Sequence, residues 1–235
     1  MQSLERSPIY TSAVLSGPIC GMLGLSWDEV LTRAGINATE HNDRAFLVSA
    51  EEYLRLWNAM MNLSGQQDVS KLLGLRMAGG PAIPVLFALS TAPDFETGIM
   101  RMAQFKSLFG PMQFVVSRSP SEFTVRVTPD IATAPLPGSF SSPQIIYLHA
   151  QANALARHTI RPLRVCLPLP QDERERLSDI FGQVPDEGDA TLTYTRADAR
   201  VPFVSDNPEL WQATEADLQS QAMIQSKGLP LSDRV

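Results

Sequence analysis

A change in hydrophobic periodicity at Gly110 constrains the fold of this chain more than any other feature of its sequence. Before that glycine, apolar side chains recur at intervals of three and four residues, as on one face of an amphipathic helix. After it, residues 113–118 and 123–128 alternate between apolar and polar, with a polar turn at residues 119–121. This second pattern predicts a β-hairpin with one buried face. Helices followed by a small sheet indicate an α+β fold.

Helix start and stop signals divide the first half of the chain. Ser26-x-x-Glu29 and Ser49-x-x-Glu52 each have the sequence of a capping box, in which two side chains satisfy free backbone N–H groups. Gly35 offers a left-handed stop to the first of these helices. Asp94 precedes the most regular apolar pattern in the chain, which ends before Gly110. We therefore predict a helical half over about residues 1–111.

The second half, about residues 112–206, predicts a mainly antiparallel sheet in the order β-β-α-β-α-β. After the hairpin, Ser142-Pro143 has the residues of a helix start, and the helix is predicted to run to about His158. A strand, a short helix and another strand follow at residues 163–169, 173–181 and 190–195. A connecting helix over about residues 208–226 completes the α+β domain, for which we predict the bounds 1–228.

Composition excludes several classes of protein. The chain has 235 residues, 44% hydrophobic and 19% charged, which suits one globular domain and not a disordered segment. Its net charge is −6, so it lacks the concentrated basic face that binds nucleic acid by phosphate neutralisation. We expect a cytoplasmic protein with no membrane contact, because no apolar run approaches 18 residues and the N-terminus has no basic region. Cys20 and Cys166 are expected to be reduced thiols.

Catalytic and metal-binding patterns are mostly missing from the sequence. There is no GxSxG motif, and His41, His149 and His158 do not have the spacing of metal ligands. Gly79-Gly80-Pro81 is not followed by the Lys-Ser/Thr pair of a phosphate loop. We therefore predict no enzyme activity, no catalytic residues, no metal and no cofactor.

The aromatic and methionine side chains of the helical half are the candidates for a binding site. Their ordinary role is hydrophobic core, but some of them are predicted to line a cavity for an apolar or amphipathic small molecule. Basic side chains would then anchor a polar group of that molecule, and Arg101, Lys106, Arg118 and Arg126 are the candidates. Their ordinary role is exposed surface charge. The predicted effector-binding residues are Tyr53, Trp57, Phe87, Arg101, Met102, Phe105 and Lys106.

Several segments together resemble the N-terminal arabinose-binding domain of AraC-type transcription regulators. The resemblance is carried by residues 49–57 (SAEEYLRLW), 92–98 (APDFETG) and 105–112 (FKSLFGPM). It extends to residues 197–203 (ADARVPF) and 207–211 (NPELW), and it covers nearly the whole chain. These are packing and capping motifs, not a catalytic signature.

The resemblance implies a cytoplasmic bacterial sensor that binds a small effector and forms a homodimer. It also implies that residues 229–235 begin the linker to a helix-turn-helix domain, absent from this chain, through which DNA would be bound. Arabinose itself is not implied as the effector. We expect the connecting helix to transmit the effect of ligand binding, with Trp211 and Leu218 in the dimer interface. Two alternatives stay open, a dimerisation domain without a ligand and a small hydrolase or transferase.

Overall fold

A computed structural model of the chain describes residues 9–37, 46–79, 83–105, 108, 110–130 and 135–226. It confirms the α+β class, with helices before Gly110 and a five-stranded sheet after it. Two three-residue strands also pair in the first half, which the sequence did not predict because segments this short leave no periodic pattern. The elements of this half are β1 (Ile9–Thr11), a π-helical segment (Leu15–Ile19), α1 (Cys20–Leu23), α2 (Trp27–Ala34), β2 (Leu47–Ser49), α3 (Ala50–Ser64), α4 (Val69–Gly79), a 3₁₀ turn (Pro84–Leu86), α5 (Phe87–Ser90) and α6 (Phe95–Phe105).

The second half contains every strand and helix that was predicted, together with one further strand of two residues. The predicted short helix is divided into two, and it ends at Gly182 in the left-handed conformation. These elements are β3 (Met112–Arg118), β4 (Glu122–Pro129), α7 (Gly138–Leu155), β5 (Arg164–Leu167), α8 (Gln171–Glu175), α9 (Ser178–Phe181), β6 (Asp186–Glu187), β7 (Thr191–Thr195), a 3₁₀ turn (Asp198–Arg200) and α10 (Pro208–Ser226).

The sheet has the strand order β3-β4-β7-β5-β6 and is antiparallel except for the β5–β6 pair. Its register brings Val116 opposite Val125, Val125 opposite Leu192 and Leu192 opposite Val165. These side chains therefore form a continuous apolar row across four strands, three of them fully buried. The alternating pattern of the hairpin sets this register, because a shift of one residue would turn every apolar side chain to the other face.

The predicted helix caps are formed in two of three cases. Ser49 accepts a hydrogen bond from the Glu52 backbone, and the Glu52 carboxylate accepts one from the Ser49 backbone at 2.9 Å. The Asp94 carboxylate accepts from the Thr97 backbone at 2.7 Å. Ser26 occupies the predicted cap position, but its side chain makes no capping hydrogen bond. Since Ser26 and Glu29 are both exposed, water can satisfy the N–H groups there.

Helix α7 begins five residues earlier than the sequence predicted and contains Pro143 in its interior. The additional turn buries Phe140 against the rings of Tyr53 and Trp57. This packing offsets the backbone hydrogen bond that a proline inside a helix cannot donate. The helix also ends earlier, at Leu155, because Ala156 is extended and pairs with Phe203.

Helix α7 lies at the centre of the molecule. It packs most extensively on α4 and also contacts β4, β7 and α9, so it joins the helical half to the sheet. Every side chain from Phe140 to His149 is buried, which means that this stretch of the helix has no solvent-facing stripe. The α4 backbone approaches it closely at Gly74, where an added Cβ would lie 2.6 Å from Ile146.

No single helix among the described residues has both the length and the apolar character that a membrane span requires. Only a bent pair, Val69–Gly79 with Pro84–Ser90, reaches those values together.

Candidate functional site

A small cavity lies between the helices of the first half and the start of α7. Its volume is about 30 Å³, enough for about two water molecules. Its walls come from the π-helical segment, α3, α4, the 3₁₀ turn at Pro84–Leu86, β3 and α7. The lining side chains are Val14, Ile19, Tyr53, Trp57, Met77, Ile83, Val85, Leu86, Met112, Phe140 and Gln144.

Helix α3 presents two aromatic side chains to this cavity. Tyr53 and Trp57 are four residues apart, so they lie on the same helix face, and the cap at Ser49 determines where that helix begins. Phe140 of α7 packs edge-to-face against both rings, with centroids 6.0 Å from Tyr53 and 4.8 Å from Trp57. Gly110 lies against Tyr53 and Phe140, at a φ of 154°, where a side chain would be strained and crowded. The result is a tightly packed aromatic wall.

Every side chain that lines the cavity is uncharged, and a few of them carry polar atoms. The Trp57 indole N–H donates to the Ser139 hydroxyl at 3.2 Å. Gln144 contributes the only side-chain amide of the lining and is buried. Burial raises the pKa of the Tyr53 hydroxyl well above its ordinary value, so that group stays protonated and neutral. Such walls suit an apolar guest without a formal charge.

One wall of the cavity is continuous with the contacts of the last helix. Ile83, Val85 and Leu86 line the cavity, and their segment contacts α10 directly, as does α5 immediately after it. The backbone N–H of Asn207, at the start of α10, donates to the Thr91 carbonyl at 3.2 Å. A displacement of the segment at Pro84–Leu86 would therefore change the packing of α10.

The structure separates the predicted site residues into two groups. Tyr53 and Trp57 line the cavity. Met102 and Phe105 are buried elsewhere in the core, Phe87 is half-buried on α5, and Arg101 lies on α6. Lys106 lies outside the described residues, as do His41 and the 229–235 segment. The roles in effector binding that were predicted for the seven residues, Lys106 among them, stay predictions.

Arg101, Phe105 and Trp211 form a second aromatic contact, between α6 and α10. The Arg101 guanidinium carbon lies 4.7 Å from the centre of the Trp211 ring, and the Phe105 and Trp211 centroids are 6.4 Å apart. Trp211 and Leu218 are both buried within the protomer, at 7% and 0% exposure. Their predicted place in a dimer interface stays a prediction, and any effect of these side chains on it would pass through the position of α10.

Sequence reasoning missed the contribution of α7 to the cavity. Phe140 and Gln144 are one helical turn apart and line the cavity together with Trp57, which is more than 80 positions away in the sequence. A local pattern does not show such a contact. The available signal was Gln144 itself, a polar residue inside an apolar helix, because a buried amide needs a partner or a guest.

The two described histidines differ in environment. His158 is exposed, whereas His149 is buried between α7, α9 and β7. Nε2 of His149 lies 3.0 Å from the Ile180 carbonyl, which accepts only, so Nε2 carries the proton. Nδ1 then accepts from the Tyr194 hydroxyl at 2.6 Å. Burial lowers the pKa of His149 to about 4, and the neutral ring is a satisfied part of the core.

In the part of the chain that the structure describes, no group of three or more His, Cys, Asp or Glu side chains is arranged to hold a metal ion. Cys20 is buried and Cys166 half-buried, and both are free thiols. Burial raises the pKa of Cys20 to about 11, which keeps that thiol protonated and unreactive.

The fold and the cavity define the class of this protein, an α+β domain with an uncharged apolar cavity among its helices. Residues 24–203 match the family described as the arabinose-binding domain of AraC transcription regulators, N-terminal, and the chain belongs to this family. It is similar to the crystal structure of the transcriptional regulator CdpR from Pseudomonas aeruginosa, with 15% identity and a TM-score of 0.49. That similarity covers 85% of this chain and 64% of the other, so it spans a little under two thirds of that protein. No curated protein matches the chain.

Proposed function

We propose that this chain is the effector-binding and dimerisation domain of an AraC-type transcription regulator, and that its effector enters the cavity beside Tyr53 and Trp57. Family membership supports a regulatory role over a catalytic one. The observation that carries the proposal is the cavity itself, which joins an apolar lining to a single buried amide, Gln144. Ligand sites in proteins commonly combine apolar walls with a few polar groups.

The lining favours an uncharged and mainly apolar effector. A carboxylate or ammonium group placed there would lose its hydration and find no opposite charge among the lining side chains. Gln144 can donate to a carbonyl or accept from a hydroxyl, and the aromatic rings provide flat apolar surface. A small aromatic or aliphatic molecule with one neutral polar group has this chemistry.

The cavity is too small for such a guest in its present form. Pockets for small organic ligands usually have volumes of about 300–1,000 Å³. Binding therefore requires one wall of the cavity to move. The 3₁₀ turn at Pro84–Leu86 is our candidate for the moving wall, because it is short and because Val85, Leu86 and the preceding Ile83 all line the cavity. An effector that binds only the opened arrangement shifts the population toward it.

Movement of that turn provides a route to α10. The turn and α5 contact α10, and α10 is the last described element before the position where the resemblance places a DNA-binding domain. Effector binding would thus change the position of α10 and, through it, the arrangement of a homodimer on DNA. DNA contact by a further domain and a cytoplasmic location belong to this same proposal.

A thermal-shift screen tests the proposal. The purified domain would be heated with neutral aromatic and aliphatic alcohols, ketones and amides, and in parallel with fatty acids, amino acids and sugars. A ligand present at 100 times its Kd stabilises the folded state by about 2.7 kcal/mol, which raises the Tm by roughly 5–10 °C for a domain of this size. We expect such shifts from the neutral apolar compounds.

Two variants locate the binding site. Val85→Phe fills the cavity and should abolish the shift, whereas Val115→Phe, at an exposed position of β3, should retain it. Gln144→Leu should weaken the binding of compounds with a polar group more than the binding of pure hydrocarbons. If no compound of any class raises the Tm while sedimentation shows a dimer, the ligand-free dimerisation domain is the better account. A Tm shift that is retained in Val85→Phe would show that the ligand binds outside this cavity.

A further inference from the structure

We infer that the end of the sheet beside the start of α6 carries a second binding site, which takes an oxyanion, the carboxylate or phosphate group of a ligand. The site is made by Arg118, Arg196 and Arg200 around the carboxylate of Glu96. None of these residues lines the cavity described above. The inference therefore does not depend on the proposed effector.

The buried carboxylate of Glu96 holds the three arginines of this cluster together. Its side chain is only 9% exposed. Arg196 donates to both of its oxygens, from Nε to Oε2 and from Nη2 to Oε1, each at 2.8 Å. Arg200 donates from Nε to Oε2 at 2.8 Å, and Nη1 of Arg118 lies 4.0 Å from Oε1. Three guanidinium groups from β3, the end of β7 and the following 3₁₀ turn therefore converge on one carboxylate.

One of the three arginines is sufficient for the structural task. The two-pronged contact of Arg196 already satisfies both carboxylate oxygens of Glu96, and its Nη1 donates to the Ser119 carbonyl at 3.0 Å. Arg118 and Arg200 add two positive charges that this buried carboxylate does not need. Like charges brought close together repel, so this arrangement favours an anion that both of them can contact.

The two additional arginines have donors to offer. Their side chains are 51% and 56% exposed. Among the described residues, the terminal nitrogens of Arg200 have no hydrogen-bond partner. The neighbouring acids are engaged: Asp198 accepts from the Thr195 hydroxyl at 2.7 Å, and Glu122 pairs with Arg164 at 2.9 Å. A second anion can therefore bind without displacing a contact that the structure shows.

The chemistry of the donors selects the ligand class. A guanidinium group offers paired N–H donors whose geometry matches a carboxylate or phosphate, and the contact of Arg200 with Glu96 holds its group in place before a ligand arrives. Less conformational entropy is then lost on binding. The cluster carries a net charge of +2 in a chain whose total is −6, so it is a local positive surface on an acidic protein.

Titration with inorganic phosphate and with acetate tests the inference, at constant ionic strength with chloride as the balancing ion. Binding would be followed by calorimetry and by the NMR signals of the arginine Nε–H groups. We expect saturable binding that perturbs the signals of Arg118 and Arg200. The anion that binds with the lower Kd shows whether the site prefers phosphate or carboxylate.

Matched double variants separate this site from general charge effects. Arg118→Ala with Arg200→Ala should weaken binding at least tenfold, about the loss of one charged hydrogen bond. Arg157→Ala with Arg161→Ala removes the same charge from exposed positions outside the cluster and should leave binding unchanged. If the first pair unfolds the domain, Arg200→Gln alone should still weaken binding severalfold. Absence of saturable binding, or equal loss in both double variants, would overturn the inference.

Discussion

The guanidinium carbon of Arg101 lies 4.7 Å from the centre of the Trp211 ring, which joins α6 to the last helix by a cation–π contact. Arg101 also donates to the Thr91 carbonyl at 3.2 Å, and the same carbonyl accepts a hydrogen bond from the backbone N–H of Asn207. Trp211 is largely buried, so α10 is held against the domain by a specific contact as well as by Leu218. The position of this helix is therefore linked to α5 and α6.

Replacement of Trp211 by Ala should release α10 from the domain. Truncation of a buried tryptophan usually costs about 3–5 kcal/mol, and we expect a loss of about 3 kcal/mol in the free energy of unfolding because one side of α10 faces solvent. Urea denaturation measures the loss. Leu210→Ala, one position earlier and 44% exposed, should change stability by less than about 1 kcal/mol. Equal effects of the two variants would show that Trp211 does not anchor the helix.

Replacement of Glu96 by Gln should destabilise the domain in a pH-dependent manner. The hydrogen bonds from Arg196 and Arg200 hold the pKa of Glu96 below its ordinary value of 4.5. A lowered pKa means that the ionised form contributes stability above pH 4.5, and that this contribution is lost as the pH falls through the pKa of the folded state. We expect Glu96→Gln to cost about 2 kcal/mol at pH 7 and much less near pH 3. Urea denaturation at both pH values measures the difference, and a cost independent of pH would contradict the assignment.

His149 should make the domain less stable in mild acid. Its pKa is lowered to about 4 from 6.5, so between these values the unfolded chain binds a proton that the folded protein does not. The free energy of unfolding should therefore decrease as the pH falls from 6.5 to 4, by about 3 kcal/mol at most. Denaturation of His149→Gln should show a weaker pH dependence across this window. His158→Gln, at an exposed histidine, should behave like the unmodified protein.

Gly74→Ala should destabilise the domain although alanine is the better helix former. An added Cβ would lie 2.6 Å from the Ile146 side chain and 3.0 Å from the Pro143 carbonyl, so α4 and α7 would have to separate. Overpacking of this kind costs about 1–3 kcal/mol, more than the gain in helix propensity of about 1 kcal/mol. Gly79→Ala, on the same helix with open space around it, is the control and should not destabilise. Equal stability of the two glycine variants would show that the close approach of α4 to α7 does not set the cost.

The helix caps and the hairpin are examples of structure that could be read from the sequence. The capping box at Ser49 and Glu52 involves residues three apart, and the register of β3 and β4 follows from alternation on either side of a short turn. The start of α7 could not be read in the same way. Ser142 and Pro143 have the local signature of a helix start, but the burial of Phe140 against α3 adds another turn before them.

The candidate site was predictable only in part. Tyr53 and Trp57 share a helix face with other apolar residues, and nothing local distinguishes a residue that lines a cavity from one that packs in the core. Phe87, Met102 and Phe105 have the same sequence character, yet they lie outside the cavity lining. The missing information was the position of α7, which decides which apolar face meets empty space.

The sequence alone determined the class of fold, the residues at which α2, α3 and α6 begin, and the buried face of the hairpin. It could do so because these features depend on side chains within a few positions of one another. Tertiary structure alone decided that Phe140 packs on Trp57, that Trp211 packs inside the protomer, and that three arginines converge on Glu96. Apart from the contact of Arg118 with Glu96, which spans 22 positions, those contacts join residues some 80 to 110 positions apart. Their geometry follows from how whole helices and strands pack.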